Sequence, residues 1–488
     1  MTFVSDFEPK ELWQHFDKIL TIPRGSKNEK AIGEYVISVA QKHGLSFKQD
    51  EVGSVVVSKP GAAGHESAPV TILQSHLDMV NEKNADVEHD FTKDPLKPRL
   101  EGDYLKATGT TLGSDNGIGV ATALAIMESS NLTHGPLEFL FTVDEETGLT
   151  GAGSLSKDFL TGKQLINMDT EEEGALYVGC AGGAGLNLTL ALNYESAPAD
   201  AATLDLKLHG LKGGHSGVDI HLQRGNAIKL LARLLGGVYQ STPFHLASFS
   251  GGNMHNAIPR EAFARVVLGK GAREAFEKEI QARFSAIKAE FKPADPGMVL
   301  TISNGASTEQ VFDKTTTEKV LDLANALPHG VISMSYDIPD LVETSSNLAT
   351  LSTLGKDMVI HVSNRSSVAS AIQAIQERVA AIGRLAGARV EELEGYPGWK
   401  PNLESHVLHV AEAVHKEVLG SKPEVKAIHA GLECGIIGEK YPGMDMVSLG
   451  PQIEFPHSPD ERVHIGSVAN FYKLLTGILA RLAQDTAE

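Results

Sequence analysis

The chain has 488 residues, 42% hydrophobic and 22% charged, which allows two or three compact units with cores large enough to need no disulfide or metal staples. Its 62 Asp and Glu outnumber 43 Lys and Arg, and a formal charge of −19 with no basic run argues against nucleic acid and anionic lipid as partners. No apolar stretch nears the ~20 residues that span a bilayer, Met1 to Trp13 lacks the pattern of a secretory signal, and Cys180 and Cys434 make no disulfide framework, so the expected compartment is the cytoplasm.

The first 185 residues alternate helical and strand-like patterns. Helices are predicted at Glu8 to Ile22 and Asn28 to His43, divided by Pro23-Arg24-Gly25. Short apolar runs at Val55 to Val57, Val70 to Leu73, Leu137 to Val143 and Leu165 to Met168 predict buried strands, and Gly117 to Met127 an Ala-rich helix.

From Leu186 onward the style changes. Strands are predicted at Leu186 to Leu192, Leu204 to Leu211, Phe244 to Ser250, Ala257 to Leu268 and Met298 to Ser303, with helices at Asn226 to Leu235 and Glu274 to Phe291. A similar order follows: helix Glu318 to Leu327, strands Val331 to Tyr336 and Met358 to Val362, helix Val368 to Leu385, strand Val390 to Leu393. This reads as two small, similar α+β units. After Tyr396-Pro397-Gly398 the first style returns, with helices at His406 to Val418 and Val468 to Ala483 around a strand at Met444 to Leu449. The expectation is an α/β fold: a catalytic domain with a helix-covered central sheet, residues 1–185 and 398–488, interrupted by an inserted α+β domain, residues 186–397.

Acidic and histidine residues fall at the strand ends. The run from Val70 ends in His76 and Asp78, that from Leu137 in Glu145 and Glu146, and that from Leu165 in Asp169. In open α/β sheets ligands bind beyond the carboxyl ends of the strands. Asp115, in Gly113-Ser-Asp-Asn-Gly, opens the Ala-rich helix, where glycines let the backbone crowd a ligand. Imidazole and carboxylate without thiolate suit zinc, manganese or cobalt. So many carboxylates overcharge a single ion, whereas two ions some ~3.5–4 Å apart, bridged by a carboxylate and a water, balance them. In extended backbone the adjacent Glu145 and Glu146 point apart, so one can bind metal while the other acts as a base. Asp78 points the same way as His76 and can orient it. Taken singly, each is better read as a turn former, helix cap or surface residue; the set at successive strand ends is what carries the argument.

These motifs, Ser75-His-Leu-Asp, Gly113-Ser-Asp-Asn-Gly, Asp144-Glu-Glu-Thr-Gly and Asn167-Met-Asp, resemble those of the co-catalytic zinc peptidases, the family that includes aminoacylase, carnosinase and bacterial dipeptidases. Ala427-Ile-His-Ala-Gly-Leu-Glu-Cys-Gly and His457 in Pro456-His-Ser-Pro-Asp-Glu-Arg match too, and the resemblance covers essentially the whole chain. It implies that Asp115 bridges two divalent ions, zinc first with cobalt or manganese as substitutes. His76 and Asp169 would hold one ion, Glu146 and His457 the other. Glu145 would be the general base that activates a bridging hydroxide, and Asp78 would orient His76.

The insertion resembles the family's lid, which in many members also makes a dimer contact, so a homodimer is expected. Within it, Gly213-Gly-His-Ser-Gly would present His215 to the scissile carbonyl oxygen, although spacing alone reads as a hairpin. Asn256 and Arg365 would reach the substrate carboxylate, although Arg365 alone reads as a solvated arginine. The implied activity is hydrolysis of dipeptides, including Xaa-His types. The alternative is an N-acyl amino acid deacylase or desuccinylase on the same two-metal site.

Overall fold

The computed structural model describes residues 2–485; residue 1 and residues 486–488, the outer edges of the expected catalytic domain, lie outside the described residues. The chain divides into two compact units. One comprises Met1–Gly179, Pro401–Ala427 and Leu432–Glu488, the other Cys180–Lys400 and Ile428–Gly431.

The first unit is built on an eight-stranded sheet. Its strands run in the order Ser46–Gln49, Val55–Lys59, Leu137–Thr142, Thr71–His76, Gln164–Asn167, Asp445–Ser448, Ala175–Cys180 and Glu424–Ile428. The middle four are parallel. Every residue of Thr71–His76 and Leu137–Thr142 is buried, as expected of parallel strands covered on both faces. The helix Ser114–Glu128 packs on Thr71–His76 and on the helix Lys10–Ile19, and almost all of its residues are buried. An apolar surface all round makes it a core helix.

A separate four-stranded sheet pairs Ile453–Glu454 with Arg462–His464, the latter with Tyr104–Ala107, and that with Pro98–Glu101. It ties the loop holding His457 and Glu461 to the strand that leads towards Gly113.

The second unit contains one nine-stranded sheet, continuous across the two small α+β units expected. Its main path runs Val299–Asn304, Ala202–His209, Ala262–Leu268, His245–Gly251, Val342–Leu354, Asp357–Ser366, Gly182–Ala191, Arg389–Glu392, and Gly330–Met334 pairs with Val342–Leu354. Two antiparallel blocks meet at the single pair Gly251 and Leu351. One apolar core unites them, from Leu204 and Phe276 in one block to Ile360 and Val379 in the other. The joining strand Val342–Leu354 escaped the sequence reading because Thr344, Ser345, Ser346 and Asn347 are buried polar residues that mask its pattern. The expected strand Ala257 to Leu268 is broken around Pro259 into Ala257–Ile258 and Ala262–Leu268, since proline supplies no N–H to a ladder.

Candidate active site

Register places the chemistry of the first unit. His76 pairs with Thr142, and Gln74 with both Leu140 and Asn167, so three parallel strands end nearly level. Just beyond them the chain presents Asp78, Glu145 and Glu146, and Asp169. Asp144 adopts a left-handed conformation, φ 51°, that turns the strand into the single helical turn Glu145–Gly148. This corrects the extended backbone expected at Glu145 and Glu146. Neighbours on a helical turn diverge by only about 100°, and one ligand atom from each of His76, Glu145 and Glu146 lies within 4.8 Å of the others.

Asp115 stands at the centre. Its Oδ1 lies 3.1 Å from His76 Nε2, and its Oδ2 lies 3.1 Å from His457 Nε2. His76 Nε2 is 3.3 Å from Asp169 Oδ1, and His457 Nε2 is 3.1 Å from Glu146 Oε2. Two compact triads result: His76, Asp115 and Asp169, and Asp115, Glu146 and His457, each with ligand atoms within 4.8 Å of one another.

The electrostatics are those of a crowded anionic site. Burial alone would lower His76, but Asp169, Asp115 and Asp78 hold it well above the usual range. Hydrogen bonds to Asp115 and Glu146 raise His457 to about 11. Burial, together with Asp169, Glu146 and Glu433, pushes Glu145 well up. Glu146 Oε1 is buried without a hydrogen-bond partner. Imidazoles, carboxylates and an orphaned buried oxygen fit divalent cations with oxygen and nitrogen preference.

Three supporting residues had no sequence signal that singled them out. Arg24, buried in the stretch read only as a breaker, donates to the carbonyls of Leu77 at 3.0 Å and Asp78 at 2.6 Å, and to that of Gly113. Glu461 accepts backbone N–H groups around Asp115. Glu433, raised to about 7 by burial, accepts from Gln74 at 2.6 Å and Thr142 at 2.7 Å. Glu433 and Glu461 lie inside two of the recognised motifs, but only contacts reveal what they do.

In the second unit, His215 lies on a two-residue ribbon whose partner is Ala257, beside Asn256, and Ser216 N–H donates to the Asn256 carbonyl at 2.8 Å. Gly217 and Val218 N–H both donate to His215 Nδ1, at 3.2 and 3.0 Å. Nδ1 is therefore an acceptor, and in the neutral ring the hydrogen sits on Nε2. Burial and the neighbouring Arg365 lower His215 to about 4.

Arg365 is only 7% exposed, which corrects its reading as a solvated residue. Its strand pairs on both sides, with Ser345 and with Gly183. Its Nη1 donates to the Tyr396 hydroxyl at 3.0 Å, and its Nε is buried without a partner. A side chain at Gly217 would come within 3.1 Å of His215 Cε1 and 3.2 Å of Arg365 Cδ, so the two residues flank that glycine. Arg365 also lines a cavity of about 380 Å³ with His255, His361, Ser363, Glu394 and Tyr396.

Residues 72–481 match the pattern of Peptidase family M20/M25/M40. The chain is 41% identical over 482 residues to the cytosol non-specific dipeptidase of Escherichia coli (strain K12), covering 99% of each chain. It is also similar to the crystal structure of aminoacylhistidine dipeptidase from Vibrio alginolyticus, with a TM-score of 0.92, 41% identity and 98% of both chains covered. The aminopeptidase PepT from Bacillus cereus, at 17% identity, TM-score 0.57 and coverage of 98% of this chain and 100% of its own, shares the fold. With the match running from the strand that ends in His76 to the closing helix, the protein belongs to peptidase family M20/M25/M40, a family of hydrolases.

Proposed function

We propose that this chain is a metal-dependent dipeptidase, acting on Xaa-His dipeptides among others. The observation that carries the proposal is Asp115, whose two oxygens each face a different histidine within a separate ligand triad. His76 and Asp169 would hold one divalent ion, Glu146 and His457 the other, with Asp115 shared. Bound ions would polarise the peptide carbonyl and lower the pKa of the attacking water. Glu145 takes the proton from that water and returns it to the leaving amine. Asp78 orients His76, His215 donates its Nε2 hydrogen to the carbonyl oxygen, and Arg365 with Asn256 receives the substrate carboxylate. The inserted unit is assigned the part of a lid.

Zinc is the proposed resident metal, with cobalt or manganese able to replace it, and the chain is proposed to act in the cytoplasm as a homodimer. Both relatives that span the chain at 41% identity bear dipeptidase names, which favours dipeptides over N-acyl amino acids. No helix among the described residues is long and apolar enough to cross a membrane.

The test is a panel of dipeptides and N-acyl amino acids offered to enzyme with chelator, without it, and after return of zinc, cobalt or manganese. Dipeptide hydrolysis lost on chelation and restored by metal is expected. Full activity without metal, or a preference for N-acyl amino acids, overturns the proposal. Mixing His215→Ala with Glu145→Gln chains tests the assembly. Recovered activity means that His215 serves the partner's site, and none despite subunit exchange means that it serves its own.

A further inference from the structure

We infer that Glu461 is a positioning residue that holds Asp115 in its shared place and joins it to the segment carrying His457. The inference rests on the two-ion reading above. Glu461 is 2% exposed, and its carboxylate collects five hydrogen bonds. Oε2 accepts the N–H groups of Leu112 at 2.7 Å and Gly113 at 2.8 Å. Oε1 accepts the Ser114 N–H at 2.7 Å, the Ser114 hydroxyl at 2.6 Å and the Asp115 N–H at 3.3 Å.

Successive N–H groups turned to one side form a concavity suited to an anion. Gly113, at φ 69°, supplies the left-handed step that this turn requires. The loop is gripped from its other side as well, because Arg24 donates to the Gly113 carbonyl while also holding the carbonyls of Leu77 and Asp78. A Cβ on Gly113 would stand 2.5 Å from Arg24 Nη2 and 2.7 Å from Met79 Sδ.

Glu461 is thus four residues from His457 in the chain and hydrogen-bonded to the backbone of Asp115. A carboxylate buried this close to other carboxylates opposes its own ionisation, and an ordinary cap at the start of Ser114–Glu128 needs none of that cost. The arrangement has a directional consequence. Glu461 is bonded to the backbone at the Asp115 end of the Asp115–His457 link and lies four residues from its other end, whereas His76 closes its own buried strand.

The experiment is cobalt(II) titration of the full-length wild-type and Glu461→Gln chains, following cobalt absorption, metal per chain and affinity at each site. Gln presents a donor to amides that already donate. The expected result is an ion on the Asp115, Glu146 and His457 side weakened about 10- to 100-fold, the usual effect of losing a residue that orients ligands. The ion held by His76 and Asp169 shares Asp115 and should weaken less, because its other two ligands have no bond to Glu461. A residue that only stabilised the fold would lower the melting temperature without splitting the two affinities, and an unsplit result overturns the inference. Should Glu461→Gln fail to fold, Ser114→Ala removes a single donor and should weaken the same ion in the same sense. Equal affinities at both sites in that variant overturn the inference as well. Wild-type enzyme that binds fewer than two ions defeats the two-ion reading itself, and this inference with it.

Discussion

Asp78 holds Glu145 by its backbone: the Glu145 N–H donates to Asp78 Oδ1 at 3.0 Å. The same carboxylate accepts the Glu146 N–H at 3.2 Å and the Ser26 hydroxyl at 2.7 Å, and it lies 3.3 Å from His76 Nδ1. One buried side chain therefore sets the place of a histidine and of the turn that presents both glutamates. Asp78→Asn, which offers a donor where acceptors are needed, is expected to lower kcat by about 10- to 100-fold. It should also cost roughly 1–3 kcal/mol of stability. Steady-state kinetics and thermal unfolding measure both, and a fully active variant contradicts the assignment.

The base and the ligand at Glu145 and Glu146 can be told apart by metal content. Glu145→Gln is expected to keep its metal while kcat falls by about 10²–10⁴. Glu146→Gln should lose metal from the side shared with His457. If metal analysis shows the opposite pattern, the two roles are exchanged.

Because Asp115 belongs to both triads, Asp115→Ala should disturb both ions, whereas His457→Ala should disturb one. Metal per chain after dialysis gives the answer. Full retention in both variants would sink the bridging assignment.

His215 is expected to remain neutral, with its hydrogen on Nε2, throughout pH 5–8. Its folded pKa of about 4 lies below the ordinary 6.5. The sign follows: above about pH 6.5 the ring costs the folded state nothing. Between 6.5 and about 4 the unfolded chain binds the extra proton and stability falls. Nitrogen chemical shifts of the ring report both tautomer and titration. His215→Ala should reduce kcat by roughly 10²–10³, the effect of removing one oxyanion donor, with metal binding unchanged. A ring that titrates near 6.5 contradicts the reading.

If Arg365 receives the substrate carboxylate, Arg365→Lys should chiefly raise KM, because an ammonium lacks the planar fork that grips a carboxylate in two places. Amidating the dipeptide C-terminus should produce the same change in wild-type enzyme and little further change in the variant. Independent, additive effects of the two alterations would separate Arg365 from the carboxylate.

Much of the first unit was legible in the sequence because parallel strands covered on both faces must be almost wholly apolar. Val70 to Leu73 and Leu137 to Val143 stand out for that reason, and so do the acids and the histidine that follow them. The Ala-rich helix after Asp115 was legible on the same grounds. The strand Val342–Leu354 was not, since its buried serines and threonines are satisfied by partners that no local pattern reveals. The two apparent α+β units become one sheet where Gly251 pairs with Leu351, a contact between residues 100 apart in the chain that no local pattern reveals.

By itself, then, the sequence determined which residue types stand at the ends of the buried strands, and with them the family and its chemistry. Tertiary structure alone decided how those residues are held. Glu461 meets the amide of Ser114 across 347 residues of chain, Arg24 meets the carbonyl of Gly113 across 89, and backbone amides and carbonyls are the same at every position. Periodicity records which side chains avoid water; which backbone groups a buried charge will meet is settled only when the chain has folded.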